Sequence, residues 1–392
     1  MKLLIGILVL LLRFNSVNAE AGITFFNGTF PEALAKAKEE HKLLFVDCFT
    51  TWCGPCKWMA AHVFTDESVF KSFNQNFICF ALDMEKGEGI EIAKRYEVKN
   101  YPTYLWLDQA GKQLHRSVGS VEASKFLSIS GQAMDAKANL SYLKSQYESG
   151  NREPASLLLF ARSLKTAYDM RYQTVADEYF KVQPDNEFTS ETNWKAILEF
   201  TPNINSYTYA TVSKMLPSFY ERYGKDSVHA VLDELALNSL SFARQQKDSL
   251  LLKNAIAKLK TSSNKALLKE GLSEELNYYK GNKDYVTYAA LAHDYINHYF
   301  LDDPKMLNAV CWTYFMHVNE KDNLAEAEKW IARSVSLEDQ YYNTDTYANL
   351  LVKLGKKKEA IEMTNHSIDL AKKSGEDFSS SQELLNELMK KK

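Results

Sequence analysis

Cysteine is scarce in this sequence, with five residues among 392. A small domain held together by disulfides has a cysteine content of about 8–10%, so that class of protein is excluded. Neither sign of charge dominates, because 47 Lys and Arg residues face 50 Asp and Glu residues and the net charge is −3. This balance gives no electrostatic reason to expect nucleic acid as a partner. The hydrophobic fraction of 45% is enough for a large core, and the length predicts two or three domains at about 150 residues each.

Long apolar runs are also lacking. Residues 3–12 form an apolar run, but a helix needs about 20 such residues to cross a bilayer. Lys2 precedes this run and Val17-Asn18-Ala19 ends it, which is the layout of a secretory signal peptide cleaved after Ala19. Losing Lys2 and Arg13, two positive charges, would change the net charge from −3 to −5. We therefore expect a signal peptide at 1–19 and an exported mature chain without a transmembrane segment, periplasmic in the first place and secreted as the alternative.

Glycine is unevenly distributed, since eight of the fifteen glycines lie between Gly22 and Gly131. Short segments bounded by turns alternate there, which predicts an α/β sandwich over residues 20–135. The apolar runs predict strands at 42–48, 77–83, 104–107 and 112–118, with a short extra strand at 23–26. Helical patterns predict helices at 31–41, 56–64, 67–73, 90–96 and 121–132.

The segment Trp52-Cys53-Gly54-Pro55-Cys56-Lys57 carries the chemistry of the predicted α/β domain. Two cysteines at this spacing can bind zinc, but a structural zinc site needs four ligands, usually from a second matching pair. The other three cysteines are isolated and the histidines show no ligand pairing. The pattern therefore favours a redox dithiol, with no metal and no cofactor. The isolated cysteines are Cys48, Cys79 and Cys311.

The order of strand, loop and helix around the dithiol assigns different roles to its two sulfurs. A strand ends at Cys48 and a helix is predicted to begin at about Cys53, where unpaired N–H groups and the helix dipole favour negative charge. This position predicts that the pKa of the Cys53 thiol falls from about 8.5 towards 7, which makes Cys53 the nucleophile. Cys56, one turn further on, is expected to be less exposed and to resolve the mixed disulfide. Pro55 pre-sets the first helical turn, and Gly54 leaves the sulfur open to a partner backbone.

The sequence resembles the thioredoxin superfamily, and secreted bacterial thioredoxin-like proteins most of all, over about 110 residues. The resemblance implies that Asp47 is the buried proton acceptor for Cys56 and that Pro102 is the family's cis-proline. It also implies a substrate surface of Trp52, Gly54, Pro55 and Tyr101. The further matching segments are Val63-Phe64-Thr65-Asp66 and Lys94-Arg95-Tyr96-Glu97-Val98.

The same resemblance indicates partners and a direction for the reaction. It implies disulfide-containing protein substrates and a membrane thiol relay as the electron donor, and the Gly-Pro dipeptide resembles that of reducing members. This sequence departs from the family in the bulky Tyr101 and in an apparent insertion at residues 85–89. Cys48 and Cys79 are additional cysteines in strands, interpretable either as small buried hydrophobic residues or as a regulatory pair.

The rest of the chain has the apolar periodicity of helices throughout. Ala327 and Ser334 recur 33 residues later as Ala360 and Ser367, and a period near 34 is typical of tetratricopeptide repeats. We expect an α-helical array at 136–305 and tetratricopeptide-like repeats at 306–392. A glycine followed five residues later by a small apolar residue recurs three times, and we expect each pair to end one helix and begin a packed second one. These pairs are Gly150 with Ala155, Gly281 with Val286 and Gly355 with Ala360.

Two functional hypotheses follow from the sequence. The first is an exported thiol-disulfide oxidoreductase that reduces protein disulfides through Cys53 and Cys56, with helical repeats that dock substrates or partners. The second is an adaptor of the tetratricopeptide type, in which the thioredoxin-like domain is a structural or redox-sensing module. The simultaneous presence of the dithiol, Asp47 and Pro102 favours the first hypothesis.

Overall fold

One four-stranded sheet forms the centre of the N-terminal part of the chain. Its strands are β1 (Leu43–Phe49), β2 (Phe77–Asp83), β3 (Thr103–Leu107) and β4 (Gln113–Val118), in the order β2-β1-β3-β4. β1 and β2 are parallel, whereas β3 is antiparallel to both β1 and β4. The structure is a computed structural model that describes residues 22–390. The signal peptide predicted at 1–19 lies outside the described residues.

Five helices accompany this sheet: α1 (Phe30–Glu39), α2 (Gly54–His62), α3 (Glu67–Asn76), α4 (Gly89–Arg95) and α5 (Ala123–Met134). Local sequence fixes the starts of α1 and α3. Thr29 and Glu32 form a capping box at α1, and the Asp66 carboxylate accepts N–H groups at the start of α3, each such cap stabilising a helix by about 1 kcal/mol. The predicted α/β fold is confirmed, and β2 has the predicted bounds.

The extra strand predicted at 23–26 is wrong. Only an isolated parallel bridge joins Phe25 to Cys79. The N–H of Thr24 donates to the side-chain Oδ1 of Asn74, 2.8 Å away, instead of to a neighbouring strand. A side chain of α3 thus takes the place of a strand partner, so the ladder does not extend.

Two hydrophobic cores lie on opposite faces of the sheet, because successive residues of a strand point to opposite sides. The core beneath α2, α3 and α5 is aromatic and contains Phe45, Phe73, Tyr104, Trp106 and Phe126. The core on the other face is mainly aliphatic and contains Leu44, Val46, Cys48, Leu105 and Leu107. Cys79 belongs to the first core and Cys48 to the second. Because the sheet separates them, the interpretation of these two cysteines as a regulatory pair is wrong, and both are small buried hydrophobic residues.

Every helix after α5 belongs to the predicted helical region. The first of them are α6 (Leu140–Glu148), α7 (Pro154–Thr166), α8 (Tyr172–Lys181), α9 (Asp185–Phe188) and α10 (Glu191–Phe200). Then follow α11 (Tyr207–Lys214), α12 (Leu216–Tyr223), α13 (Lys225–Gln246), α14 (Ser249–Leu259), α15 (Lys265–Gly281) and α16 (Tyr285–Tyr295), which continues into a π-helical segment, Ile296–Phe300. The last are α17 (Pro304–His317), α18 (Lys321–Leu337), α19 (Tyr341–Lys353), α20 (Lys357–Ser374) and α21 (Ser379–Lys390).

The chain divides into two compact units between Phe200 and Thr201. The first unit holds the sheet and α1 to α10, and the second holds the remaining helices. The domain boundaries predicted at 135/136 and 305/306 stay predictions. Within residues 22–390, none of the helices combines the length and the apolar character that a membrane crossing requires.

The three predicted glycine pairs differ in outcome. Gly355 has a positive φ of 78° after α19, and Ala360 is fully buried in α20, as expected. Gly150 also has a positive φ, but Ala155 is exposed. After α15 the turn is made at Lys283, with a φ of 60°, rather than at Gly281. This displacement leaves Val286 82% exposed, so the expected contact is absent there.

Candidate active site

Cys53 and Cys56 lie at the beginning of α2, where they form a disulfide with a Cα–Cα distance of 5.3 Å. Cys53 is the N-cap residue, and its Sγ accepts the backbone N–H of Cys56 at 3.1 Å. Gly54 and Pro55 occupy the first helical positions, and proline suits such a position because it has no N–H to leave unpaired. In the reduced protein, a Cys53 thiolate at this point would receive the same N–H and the positive end of the helix dipole.

The expected difference in exposure between the two cysteines is not found. Cys53 is 2% exposed and Cys56 is 7% exposed, so both are buried and the order is the reverse of the expected one. In the disulfide form the two sulfurs are bonded to each other, and the Cys53 sulfur also accepts the N–H of Cys56 in the first turn of α2. Residue exposure therefore does not distinguish the attacking sulfur here, whereas the N-cap position does.

Asp47 lies on β1, six residues before Cys53, and its side chain is almost completely buried. It shares a face of the strand with Phe45, which packs in the same core as Met59 of α2, so Asp47 is on the side of the sheet that α2 covers. Its Oδ1 has no hydrogen-bond partner within residues 22–390. Burial raises the pKa of the Asp47 carboxyl from 3.8 to about 7. A carboxyl with that pKa can take up and release a proton near neutral pH.

Tyr104 is the cross-strand partner of Asp47. Its hydroxyl is buried and has no partner among the described residues. Burial raises the pKa of the Tyr104 phenol, and the neighbouring Asp47 carboxylate raises it further, so the phenol stays neutral. Tyr104 therefore adds no charge to the surroundings of Asp47.

Pro102 is buried in the loop before β3, and the Tyr101–Pro102 peptide bond is cis, as the sequence predicts. The loop is held at both ends. The Thr103 hydroxyl donates to the carbonyl of Asn100 at 2.7 Å. The N–H of Gly119, just after β4, donates to the carbonyl of Pro102 at 2.9 Å.

Trp52 and Tyr101 are brought together, with ring centroids 6.0 Å apart and an edge-to-face angle of 80°. Trp52 is nevertheless well exposed. Its indole N–H donates to the Glu85 carboxylate at 2.9 Å. Glu85 comes from the segment 85–89 that the sequence marks as an insertion, and sequence reasoning did not connect it with the dithiol.

The insertion is a tightly held turn. The Asp83 carboxylate accepts the N–H of Glu85 at 3.1 Å and forms an ion pair with Lys86 at 3.0 Å. A Cβ on Gly89 would lie 2.0 Å from the carbonyl oxygen of Asp83, so this position requires glycine. The Glu88 carboxylate accepts the N–H of Phe30 at 2.9 Å and thereby fixes the turn to the start of α1. Glu85 is therefore presented to Trp52 from a rigid support.

Gly54 and Pro55 are exposed and line one side of a groove of about 500 Å³ beside the dithiol. The other lining residues are Trp58, Ser120, Val121 and Glu122. Sequence reasoning missed this second set. Position in the chain is the only signal for these residues in the sequence. Trp58 is the second residue after Cys56, and the other three residues come shortly after the end of β4. In the part of the chain that the structure describes, no group of three or more His, Cys, Asp or Glu side chains is arranged to hold a metal ion.

Residues 26–109 match a family model described as thioredoxin-like. Thioredoxin H4 of Arabidopsis thaliana is 33% identical over 94 residues, which are 24% of this chain and 74% of the plant protein. Thioredoxin-1 of Drosophila melanogaster is 34% identical over 70 residues, 18% of this chain, and the match spans only 61% of the fly protein.

Two bacterial proteins are also similar. The thiol:disulfide interchange protein DsbD of Actinobacillus pleuropneumoniae is 30% identical over 105 residues, which are 24% of this chain and 18% of DsbD. A solved structure of a putative disulphide-isomerase from Bacteroides thetaiotaomicron is 46% identical, covers 30% of this chain and 96% of that one, and has a TM-score of 0.28.

The matched segment 26–109 contains β1, β2, β3, the dithiol and the cis-proline loop. Through its N-terminal unit, the chain belongs to the thioredoxin-like family of disulfide oxidoreductases.

Proposed function

We propose that the protein is an exported thiol-disulfide oxidoreductase that reduces disulfides in other proteins. The observation that carries the proposal is the position of Cys53 at the N-cap of α2, with its Sγ 3.1 Å from the N–H of Cys56. An N–H and a helix dipole stabilise a thiolate relative to a thiol. Cys53 is therefore the nucleophile, and Cys56, on the following turn, is the resolving cysteine.

The proposed reaction has two exchange steps. The Cys53 thiolate attacks one sulfur of the substrate disulfide, so a mixed disulfide forms and the other substrate sulfur leaves as a thiolate. Asp47 then takes the proton of the Cys56 thiol, and the resulting thiolate attacks the Cys53 Sγ. This step forms the Cys53–Cys56 disulfide and releases the second substrate sulfur. The substrate gains two electrons and the protein dithiol loses two.

The roles of the surrounding residues follow from this sequence of steps. Pro102 presents its loop to the bound polypeptide, while Trp52, Tyr101, Gly54 and Pro55 form the surface on which the polypeptide rests. The exposure of Trp52, Gly54 and Pro55 supports this role. A membrane thiol relay is proposed as the donor that reduces the dithiol again, which the similarity to a thiol:disulfide interchange protein supports.

The second unit is proposed to dock partners through its helical repeats. Two consecutive helix pairs, α17 with α18 and α19 with α20, pack side by side. The recurring residues Ala327, Ser334, Ala360 and Ser367 are all fully buried at the corresponding contacts. The ring of Tyr285 stacks on His317 at 4.1 Å, and next to these rings Val286 and Met316 are exposed.

Insulin reduction driven by dithiothreitol tests the proposed activity. We expect Cys53→Ser to reduce insulin no faster than dithiothreitol alone, because the remaining Cys56 thiol lacks the N-cap position that stabilises a thiolate. We expect Cys56→Ser to retain partner proteins as mixed disulfides on Cys53. Cys311→Ala is the matched control, since Cys311 is a buried free thiol of the second unit, and it should behave as wild type. Equal turnover of wild type and Cys53→Ser would refute the proposal, and a reduction potential near −120 mV instead of about −270 mV would reverse its direction.

A further inference from the structure

A cleft of about 710 Å³ opens in the first unit beside the loop that carries Tyr101 and Pro102. It is lined by the segment before that loop, by β4, by α6 and by the turn between α7 and α8. Six of its lining side chains are basic and two, Glu97 and Asp169, are acidic, which is an excess of four positive charges. The chain as a whole has a net charge of −3. The basic residues are Arg95, Lys99, Lys112, Arg116, Lys144 and Arg171.

Some of these basic side chains form hydrogen bonds or ion pairs within the protein, and others do not. The Arg116 guanidinium donates to the carbonyls of Tyr96 at 2.6 Å and Glu97 at 3.0 Å. Arg171 forms an ion pair with Asp169 at 2.5 Å. Lys99 and Lys112 are exposed, and within residues 22–390 neither amine has a carboxylate within 4.0 Å. Their charges are therefore free to attract an anionic ligand.

The cleft is continuous with the predicted substrate surface. Asn100, one of its lining residues, is bonded directly to Tyr101. On the other side of the loop, Tyr168 lies over Gly119, with its hydroxyl oxygen 3.9 Å from the place a Cβ of Gly119 would take. Gly119 is the residue whose N–H is bonded to the Pro102 carbonyl. Asn100 is two residues from Pro102 along the chain, a span of at most roughly 7 Å, so a polypeptide lying on Pro102 passes close to the cleft.

Tyr168 is held in place although it is 65% exposed. Its backbone has a φ of 57°, which is uncommon for a bulky residue and here ends α7 in a left-handed C-terminal cap. The turn around it is fixed by the N–H of Asp169, which donates to the carbonyl of Leu164 at 2.9 Å. Tyr168 lies outside residues 26–109, the segment that matches the thioredoxin-like family. The helices thus supply a wall that this family segment does not contain.

We propose that this cleft binds an acidic stretch of the polypeptide whose disulfide docks at Cys53, and that Tyr168 contacts the chain where it enters. The inference rests on the proposed oxidoreductase function and specifies its substrate class as disulfides with acidic residues nearby. The basic side chains are distributed over four segments of the first unit, which suits an extended chain bearing several carboxylates. Charge complementarity of this kind acts mainly on encounter and specificity.

Three synthetic peptides test the preference with the full-length protein. Each contains the same cystine loop, followed by four residues that are Glu in one peptide, Gln in the second and Lys in the third. With dithiothreitol as donor, we expect kcat/KM to be highest for the Glu peptide, by roughly fivefold over the Gln peptide at low salt. The advantage should come from KM and should vanish in about 1 M NaCl, where the Debye length is about 3 Å.

Charge-removing variants locate the effect. Lys99→Gln with Lys112→Gln should abolish the advantage of the Glu peptide, so that the Glu and Gln peptides are reduced at equal rates. The matched control is Lys38→Gln with Lys137→Gln, since both lysines are exposed in the same unit and neither lines the cleft, and it should keep the advantage. Equal rates for the Glu and Gln peptides in wild type would overturn the inference alone. No reduction of any peptide would overturn the proposed oxidoreductase function itself.

Discussion

Asp47 combines two properties that oppose each other. Its burial suits proton transfer near neutral pH, because burial raises the pKa of the carboxyl to about 7. The same burial destabilises the folded protein once the carboxyl ionises, since a buried charge without a partner is costly. A residue that lowers stability at the working pH is expected where function requires it.

The pKa of Asp47 predicts a specific dependence of stability on pH. An acid whose pKa rises from 3.8 to about 7 on folding binds a proton in the folded state at pH values where the unfolded chain has released it. The contribution of Asp47 to the free energy of unfolding should therefore fall as pH rises from about 4 to about 7, by up to ~4 kcal/mol. Asp47→Asn removes this titration, so we expect the oxidised variant to be more stable than wild type at pH 8 by about 2–4 kcal/mol.

Hydrogen exchange of the β1 and β3 amides measures this change without interference from the second unit. Asp66→Asn is a useful control because Asp66 is a partly exposed carboxylate that caps α3, and hydrogen bonds to that carboxylate lower the pKa of its carboxyl. We expect that control to reduce stability rather than increase it. An equal dependence on pH in Asp47→Asn and wild type would show that Asp47 does not titrate in this range.

β4 and α6 are joined by a buried histidine. His115 of β4 is almost completely buried, and its Nδ1 accepts the N–H of Leu140, the first residue of α6, at 3.1 Å. A ring nitrogen that accepts this N–H must be unprotonated, so the neutral imidazole is the form that joins the two elements. Burial lowers the pKa of His115 from 6.5 to about 4, in keeping with that form.

The hydrogen bond between His115 of β4 and Leu140 of α6 should weaken at low pH. Between pH 4 and pH 6.5 the unfolded chain binds a proton on His115 that the folded chain does not. The contribution of His115 to the free energy of unfolding should therefore rise with pH through this window, opposite in sign to that of Asp47, and the ~3 kcal/mol present above pH 6.5 is lost as pH falls to about 4. We expect His115→Gln to flatten this slope, as measured by hydrogen exchange of the α6 amides between pH 4.5 and 7. His62→Gln, at an exposed histidine, should leave the slope as in wild type, and an unchanged slope in His115→Gln would contradict the assignment.

The elements around the dithiol could be predicted because their signals are local. The apolar run of β2, the proline after Gly54 and the Tyr101-Pro102 pair each identify their element within a few residues. The contacts between elements could not be predicted in this way. No sequence pattern indicates the hydrogen bond from Trp52 to Glu85 or the hydrogen bond from Leu140 to His115, since the partners are 33 and 25 residues apart. The strand predicted at 23–26 failed for the same reason, because Asn74 satisfies Thr24 from a distant helix.

Composition and packing divide the whole chain differently. The change in glycine content predicts a boundary at 135/136, whereas the compact units divide between Phe200 and Thr201. The packing of α6 and α7 explains the difference within the first unit. Gln132 of α5 donates to the carbonyl of Ala138 at 2.9 Å and to the hydroxyl of Ser163 on α7 at 2.7 Å. Together with the bond from Leu140 to His115, these contacts tie the first helices of the helical region to the α/β fold.

Limited proteolysis distinguishes the two boundaries. A protease cleaves a segment only when that segment can unfold locally and break its own hydrogen bonds. At residues 135–139 the N–H groups of Ala138 and Asn139 both donate to the Asp135 carbonyl, and Asn139 caps α6, so cleavage there requires local unfolding. Residues 201–206 connect α10 and α11 without regular structure, and their N–H groups bond within the segment or to the second unit, from Ser206 to the Asn203 carbonyl and from Ile204 to the Ser239 hydroxyl, so a cut there leaves the hydrogen bonds of the first unit intact.

With a protease of broad specificity at low concentration, we therefore expect an early cut within 201–206. Intact mass and N-terminal sequencing should identify two stable fragments, and the N-terminal one should retain the Cys53–Cys56 disulfide. Gln132→Ala should add a second cut near residue 137, because it removes the hydrogen bond from α5 to the Ala138 carbonyl and the one from α5 to Ser163 of α7. Gln173→Ala, at a residue of α8 outside these contacts, is the control and should give the wild-type pattern. An early cut at 135–139 in the wild-type protein would instead place the boundary where the composition changes, and α6 to α10 would then belong with the helical region.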